Sequence, residues 1–322
     1  MHTLHVDAEP KVTVVIPTQN RNELLRRSVR SALRQTHPNL EIIVVVDGYS
    51  SGTIELLTTF QKSDARLRWI VNDEPVGGAE ARNMGARAGD GAFIAFLDDD
   101  DEWLPVKLET QVESAIKVHG DVIVSSRYIY RNSTMRDEIW PLHLPEKGKL
   151  SECLFDTCGG LQTSTLLCNR RLFLERPFTS GLKGHQDFDW ILRASSIAGV
   201  QLIVIPEPLS IYHIGNGGGK TGSSFNWRMS LAWGAANRSL MTPLGYSRFI
   251  AYHAARLAVL QNDRLSSFGP LLGQLFSGEL RARVLIDFFA KYLLSVSMRA
   301  RIRRVSNRFS AGIRIGQRRE CV

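Results

Sequence analysis

The sequence predicts an α/β protein: a mostly parallel central sheet covered by helices on both faces, followed by a helical, basic C-terminal region. Three observations predict it. Apolar strand-like runs alternate with helical segments through the first two thirds of the chain, the pattern of β-strands joined by crossover helices. Those runs are continuous rather than alternating, as strands buried on both faces require. Charge also divides the chain. From Ser223 onward there are sixteen Lys or Arg against four Asp or Glu, while residues 1–222 hold 24 against 28, within a total of +8.

The elements follow in order. "VTVVI" (12–16) is a β-branched run ending at Pro17, a buried strand, and Asn20 is placed to cap a helix to about Gln35 with Leu24, Leu25, Val29 and Leu33 at helical spacing. "EIIVVVDG" (41–48) is the second strand, residues 54–62 a helix and "RLRWIV" (66–71) the third strand. "GGAEARNMGARAGDG" (77–91) is a helix rich in small residues, "AFIAFL" (92–97) the fourth strand, 104–118 a helix and "DVIVSS" (121–126) the fifth strand. Residues 127–165 are less regular. A helix over 186–199 precedes two strands, "VQLIVI" (200–205) and "LSIYHI" (209–214), and then "GNGGGKTGSS", which has the composition of a mobile loop or linker. A catalytic part is thus expected over 1–222 and a separate helical region over 223–322.

Composition narrows the class. A hydrophobic content of 43% with 22% charged residues fits a soluble globular protein. The start "MHTLHVDAEP" lacks the basic-then-apolar pattern of a secretory signal. No apolar run reaches the roughly 18–20 residues that span a bilayer, the longest attempt from Val284 being broken by Asp287 and Lys291. Cys153, Cys158, Cys168 and Cys321 show neither CxxC nor zinc spacing and read as reduced structural thiols of a cytosolic protein.

Right-handed crossovers place every strand-to-helix loop at one edge of the sheet, where ligands of open α/β sheets bind. Residues 17–20, 47–51 and 98–101 all follow strands and converge there. The last is four consecutive aspartates after an apolar strand, and four like charges need a cation among them. An EF-hand would match Asp98, Asp100, Glu102 and Glu109 but needs glycine where Trp103 stands, and a strand rather than a helix precedes it. A shallow site for Mg²⁺ or Mn²⁺ shared with a substrate phosphate fits two carboxylates at i and i+2. A solvated acidic loop is the plain alternative. The glycines of "GGAEARNMG" do not make GxGxxG, and no GxxxxGK[ST] occurs, which disfavours dinucleotide and P-loop enzymes.

At this point a family enters. "VTVVIPTQNRNELLRRSVRSALRQTHPNLEIIVVVDGYSSGT", "GGAEARNMGARAGDGAFIAFLDDDDEWLPVKLE" and "GHQDFDWILRAS" stand in the order and at the spacing of the inverting glycosyltransferases of family 2, which the chain resembles over residues 11–215. The resemblance implies the GT-A fold of nucleotide-diphospho-sugar transferases, with 11–126 binding a nucleotide sugar and 127–222 holding the acceptor and the base. It implies that Asp47 reads the nucleobase edge, that Pro17 and Thr18 flank the base, and that Arg82 serves the phosphates. Asp98 and Asp100 match the metal-binding DxD motif, Asp99 faces the ribose, Asp187 is the general base, and His213 lies where some relatives place a late ligand to metal or diphosphate. Three departures bear on which nucleotide is bound: Val46 replaces the first of two paired acids, Gln19 a tyrosine, and Gln186 the glutamate before the base.

The implied activity is transfer of a sugar from a nucleotide sugar, a UDP-sugar by family preference, to an acceptor hydroxyl in surface polysaccharide or glycolipid synthesis. A divalent cation, Mn²⁺ or Mg²⁺, and Arg82 would stabilise the leaving diphosphate, and Asp187 would take the acceptor proton. By itself an Asp at a helix start is a first-turn acid; the family register gives it the other role, and Asp189 is left a structural hydrogen bond. A non-catalytic nucleotide-sugar-binding scaffold is the alternative; a nucleotidyltransferase would need a Gly-rich basic signature that "PTQNRNE" lacks. In the C-terminal region Leu285, Phe288, Phe289, Tyr292 and Val296 form a stripe with basic rims. It fits peripheral contact with the cytoplasmic face of a membrane, or packing on the protein itself or a second copy. No aromatic-interleaved motif accompanies the charge, so nucleic acid is not expected.

Overall fold

The computed structural model describes residues 9–132, 137–157, 159–214 and 225–294. The chain forms two compact units, Met1–Phe225 with Ser239–Met241, and Asn226–Arg238 with Thr242–Val322.

The first unit opens with β1 (Val12–Thr18), α1 (Asn22–Leu33), β2 (Leu40–Asp47), α2 (Ser51–Ser63), β3 (Leu67–Asn72), α3 (Gly78–Ala88) and β4 (Phe93–Phe96). These strands pair in parallel in the order β3-β2-β1-β4. Every residue of β1 and β2 is buried, which explains their unbroken Val and Ile runs. α3 lies close on them because Gly85 has no side chain: a Cβ there would come within 2.4 Å of Val15. The chain runs from β1 to one side and reaches β4 on the other. Their carboxyl ends therefore flank a topological switch point, where such sheets open a crevice.

After β4 come β5 (Glu102–Trp103), α4 (Lys107–Ala115), β6 (Val122–Asn132), β7 (Glu138–Trp140), α5 (Leu150–Leu154), β8 (Leu167–Asn169), α6 (Arg170–Glu175), α7 (Gln186–Ser195) and β9 (Gln201–Ile214). The sheet continues β4-β8-β6-β9-β5, with β7 on β6. β8 is antiparallel to both neighbours, while β6 and β9 run parallel, so this half of the sheet is mixed.

Two local expectations change. The two strands read over 200–205 and 209–214 are one, because two register shifts between Ser126 and Tyr128 take up Pro206, Glu207 and Leu209, and Pro208 pairs with Arg127, without ending the pairing. Asn20 does not cap α1. It takes a left-handed φ of 52°, and Arg21 occupies the cap position without a side-chain cap bond. The glycine-rich stretch 215–224 lies outside the described residues, as do Cys158 and Cys321; Cys153 and Cys168 are buried.

The second unit contains α8 (Trp227–Ala236), α9 (Pro243–Phe249), a π-helical turn (Ile250–Ala254) leading into α10 (Ala255–Leu260), α11 (Arg264–Phe276) and α12 (Ala282–Leu293). Asn226 and Thr242 cap α8 and α9 by accepting from the N–H groups of Met229 and Gly245, both at 3.0 Å. α12 buries Val284 and Phe288. Phe288, Phe289 and Tyr292 meet the Phe268 ring at 6.1, 6.1 and 5.2 Å. The apolar stripe seen in the sequence thus packs within its own unit through these residues; Val296 lies outside the described residues. No helix among the described residues is long and apolar enough to cross a membrane.

Candidate active site

The crevice at the switch point is built by the ends of β1 and β4. Asp98 to Asp101 leave β4 and enter β5, which pairs with β9 and so brings Tyr212 and His213 alongside. A short 3-10 turn, Thr163–Thr165, braces the loop from beneath: the Ser164 hydroxyl accepts from the Asp98 N–H at 3.0 Å and itself donates to Asp101 Oδ2. Trp103 Nε1 donates to the Ser164 carbonyl at 2.7 Å, locking turn and loop together.

Three arginines answer the repulsion among the aspartates. Arg82 of α3 donates to Asp98. Arg21 donates from Nε to Asp99 at 3.1 Å, from its second terminal nitrogen to the other Asp99 oxygen, and to Asp100 at 2.9 Å. Arg27, one turn further along α1, donates to the Asp100 carbonyl. Asp101 Oδ2 accepts from the Ser164 hydroxyl, and its Oδ1 is buried without a partner among the described residues. One oxygen each of Asp98, Asp100 and Asp101 lie within 4.8 Å of one another. Three carboxylates this close, one of them with a buried oxygen that lacks a donor, are the kind of oxygen set a hard cation takes. The residues present therefore fit Mg²⁺ or Mn²⁺, with Asp101 joining the expected Asp98 and Asp100.

The second acid group starts α7. His185 precedes it in a left-handed conformation, φ 59°, its ring stacked on Phe188 at 5.7 Å and edge-on to Phe225 at 5.0 Å. Asp187 is half-buried, and its Oδ1 accepts from the Phe188 N–H at 2.9 Å. Arg82 spans the two acid groups. One terminal nitrogen binds Asp98 and the other donates to Gln186 Oε1 at 2.9 Å, beside Asp187. Asp189 faces the other way, buried, accepting from Thr179 at 2.7 Å and Arg193 at 2.8 Å, the structural role expected of it.

Residues 13–173 match the family model described as glycosyl transferase family 2. The chain belongs to glycosyltransferase family 2. It is 27% identical over 248 residues to the amylovoran biosynthesis glycosyltransferase AmsB of Erwinia amylovora, covering 74% of this chain and 82% of that one. It is 30% identical over 213 residues to the putative colanic acid biosynthesis glycosyl transferase WcaA of Escherichia coli K12, covering 65% and 74%. The fold is that of S. aureus TarS residues 1–349, solved with UDP-GlcNAc, at a TM-score of 0.60 over 88% of this chain and 89% of that one, with 14% identity. The chain is a glycosyltransferase with the GT-A fold.

Burial sets the charge state of this transferase's acids. It pushes the Asp99 carboxyl up to about 6 against the pull of Arg21 and Thr18. It also raises Asp100, with help from Asp98, and holds Asp101 well above the usual carboxylate range, with Asp98 and Asp100 adding to the effect. Only Arg21 and Arg82 bond the carboxylates themselves, Arg27 reaching the Asp100 carbonyl, so the four acids are left short of positive charge. Asp187 is likewise raised by burial to about 6, with the Phe188 N–H and Arg82 pulling the other way.

Asp99 is 0% exposed and turned inward to Arg21 and to the Thr18 hydroxyl, which donates at 2.7 Å. Pro17 and Thr18 are both buried in β1. Asp47 is also turned in: Oδ1 accepts from the Val76 N–H at 2.7 Å and Oδ2 from the Gly77 N–H at 2.9 Å, fixing the turn where Gly77, at φ 87°, starts α3. The His213 ring pairs with Glu102 at 3.2 Å.

Sequence reasoning missed Arg21, Arg27 and Asp101, and it missed an aromatic group. Tyr130 of β6 stacks on Trp140 of β7, centroids 4.6 Å apart and planes at 11°, and Tyr212 of β9 lies 6.0 Å from Tyr130 and 6.1 Å from Tyr128. Tyr212 is within electrostatic reach of Asp98, Asp100, Asp101 and Asp187. The available signal was alternation: "RYIY" and "SIYH" put tyrosines on one face of two neighbouring strands.

Proposed function

We propose that this glycosyltransferase moves a sugar from a nucleoside-diphosphate donor, a UDP-sugar, to the hydroxyl of a saccharide carried on a lipid, with inversion at the anomeric carbon. The observation that carries the reading is the Asp98–Asp100–Asp101 carboxylate group, linked through Arg82 to Gln186, the neighbour of the half-buried Asp187. The names of relatives support the acceptor class. WfgD of Escherichia coli, 29% identical over 177 residues, is a UDP-Glc:α-D-GlcNAc-diphosphoundecaprenol β-1,3-glucosyltransferase.

Asp98, Asp100 and Asp101 would hold Mn²⁺ or Mg²⁺, which when bound supplies Lewis-acid stabilisation of the departing diphosphate. Arg82 adds a fixed positive charge beside it. As the acceptor oxygen bonds to the anomeric carbon, the bond to the phosphate oxygen breaks and its electron pair leaves with the diphosphate. The acceptor proton passes to the Asp187 carboxylate. Burial tunes that base towards neutrality, where general-base catalysis works best. One base with no protein nucleophile gives a single displacement and hence inversion. The aromatic group of Tyr130, Trp140 and Tyr212 offers flat apolar faces for the acceptor sugar. An acceptor held on a lipid places the enzyme at the cytoplasmic face of a membrane.

Calorimetry of UDP binding with Mn²⁺ or with chelator tests the site. Mn²⁺ should tighten UDP binding, and Asp100→Asn should remove at least about tenfold of that gain while leaving metal-free binding unchanged. Equal weakening with and without metal would overturn the metal assignment.

A further inference from the structure

The helical unit has a surface that the transfer chemistry does not use. α11 is thirteen residues long, and Arg264 at its start is its only charged residue. Its inner face is Ser267, Leu271 and Leu275, all buried at helical spacing. A surface helix normally carries polar residues on its other side. Here the opposite stripe runs Leu265, Gly269, Leu272 and Phe276, with Leu265 97% and Phe276 57% exposed. α12 repeats the arrangement: Val284 and Phe288 face in, while Ile286 and Leu293 stand 66% and 75% exposed on the same side as exposed Arg283. Both helices are therefore apolar on both faces, although neither is long enough to cross a bilayer.

Charge decides what covers them. The described part of this unit holds eight Lys or Arg against three Asp or Glu, and residues 295–322 add eight Arg against one Glu. A second copy meeting these faces would bring like charges together across the interface. Nucleic acid would match the charge but leave the apolar side chains in water. An anionic bilayer satisfies both, because apolar residues enter the headgroup boundary while basic residues stay among the headgroups.

We propose that the outward faces of α11 and α12 dock flat on an anionic lipid surface, through Leu265, Leu272, Phe276, Ile286 and Leu293. This gives the membrane-side reading above its surface, and it moves that surface away from the Phe288–Tyr292 stripe, which is used inside the unit.

The full-length protein is sedimented with phosphatidylglycerol-containing vesicles and with phosphatidylcholine vesicles, at low and high salt. Leu265→Glu with Phe276→Glu changes only exposed positions and should keep the thermal transition. Binding should need the anionic lipid, weaken with salt, and fall at least about tenfold in the double variant. Undiminished vesicle binding by the double variant would overturn the proposal, as would no vesicle binding together with a dimer that the double variant dissolves. UDP–Mn²⁺ calorimetry on the same samples separates failures: lost vesicle binding with intact nucleotide coupling bears on this surface alone, and the reverse bears on the transfer reaction alone.

Discussion

The two units bury different things. The sheet unit hides ionisable groups: Glu41, Asp47, Arg82, Asp99, Asp101, Lys107 and Asp189 are all under 10% exposed. Among the described residues of the helical unit, the buried polar side chains are the serines 230, 247 and 267, and no charged residue is buried. Burying a charge is costly unless it is paired, so a fold retains one where the charge has a use. The first unit therefore concentrates its chemistry inside a crevice. The second has a core of leucines, alanines and aromatic rings, and whatever it contributes is on its outside, where four large apolar side chains on α11 and α12 are exposed. The contrast separates catalysis from placement within one chain.

The largest effect that can break this division is at Asp187. If buried charge in the sheet unit marks chemistry, Asp187→Asn should lower transfer by about 10²–10⁴-fold, measured as sugar incorporated into acceptor, and leave Mn²⁺-dependent UDP binding intact. Loss of both together would mean that Asp187 holds the crevice in shape rather than accepting a proton.

The pH profile sharpens the same point. With the Asp187 carboxyl raised to about 6 by burial, kcat should fall by about tenfold per pH unit below that value, as the base becomes protonated. Stability should move oppositely. A carboxyl raised above its ordinary 3.8 binds its proton more tightly when folded. The fold is therefore penalised as pH rises from about 4 to about 6, and the penalty is complete above that. Asp187→Asn, which never ionises, should raise Tm by about 2–4 °C at pH 7.5 and leave it unchanged near pH 4. A variant that loses activity while gaining stability only at the higher pH would identify a group kept for function at the expense of the fold.

How much of this was readable in the sequence follows from which interactions are local. The first four strands and their helices were legible, because each buried strand of this half is a continuous apolar run, Val12–Ile16 and Ile42–Val46 being the clearest. β9 was split in reading because prolines at 206 and 208 look like breaks, and the pairing to β6 that tolerates them lies some eighty positions away. The acid cluster was legible as four adjacent aspartates. Its division of labour was not: Asp99 is claimed by Thr18 and Arg21, and Asp101 by Ser164, all more than sixty residues distant in sequence. The resemblance to a family gave positions for the acids, but it could not show that Asp47 and Asp99 point inward, since that depends on backbone N–H groups and arginines brought by other elements. The α12 stripe was visible while its use was not, because one face of Phe residues fits a neighbouring helix as well as a bilayer.

The smallest effect concerns a buried charge with no chemistry assigned to it, and so tests the comparison at its weakest point. Lys107 is 0% exposed; its Nζ donates to Gln111 Oε1 at 2.6 Å and lies 4.1 Å from the centre of the Trp103 ring, with no carboxylate beside it. A ring face under an ammonium is worth about 0.5–2 kcal/mol, whereas burying the ion costs several kcal/mol, so burial wins and the amine is driven well below its ordinary value. The folded protein therefore holds its proton less tightly than the unfolded chain does. Stability from this group rises with pH up to 10.5, its value in the unfolded chain, and falls as pH is lowered towards its folded value. Lys107→Met keeps the length of the side chain and removes the titration. The stability of the wild type relative to the variant, from urea unfolding at several pH values between 7.5 and 9.5, should then climb with pH, at most by about 1.4 kcal/mol per pH unit. A flat difference would mean that Lys107 stays charged inside the unit, and a charge could then be buried there on an aromatic face alone, with no carboxylate and no catalytic use.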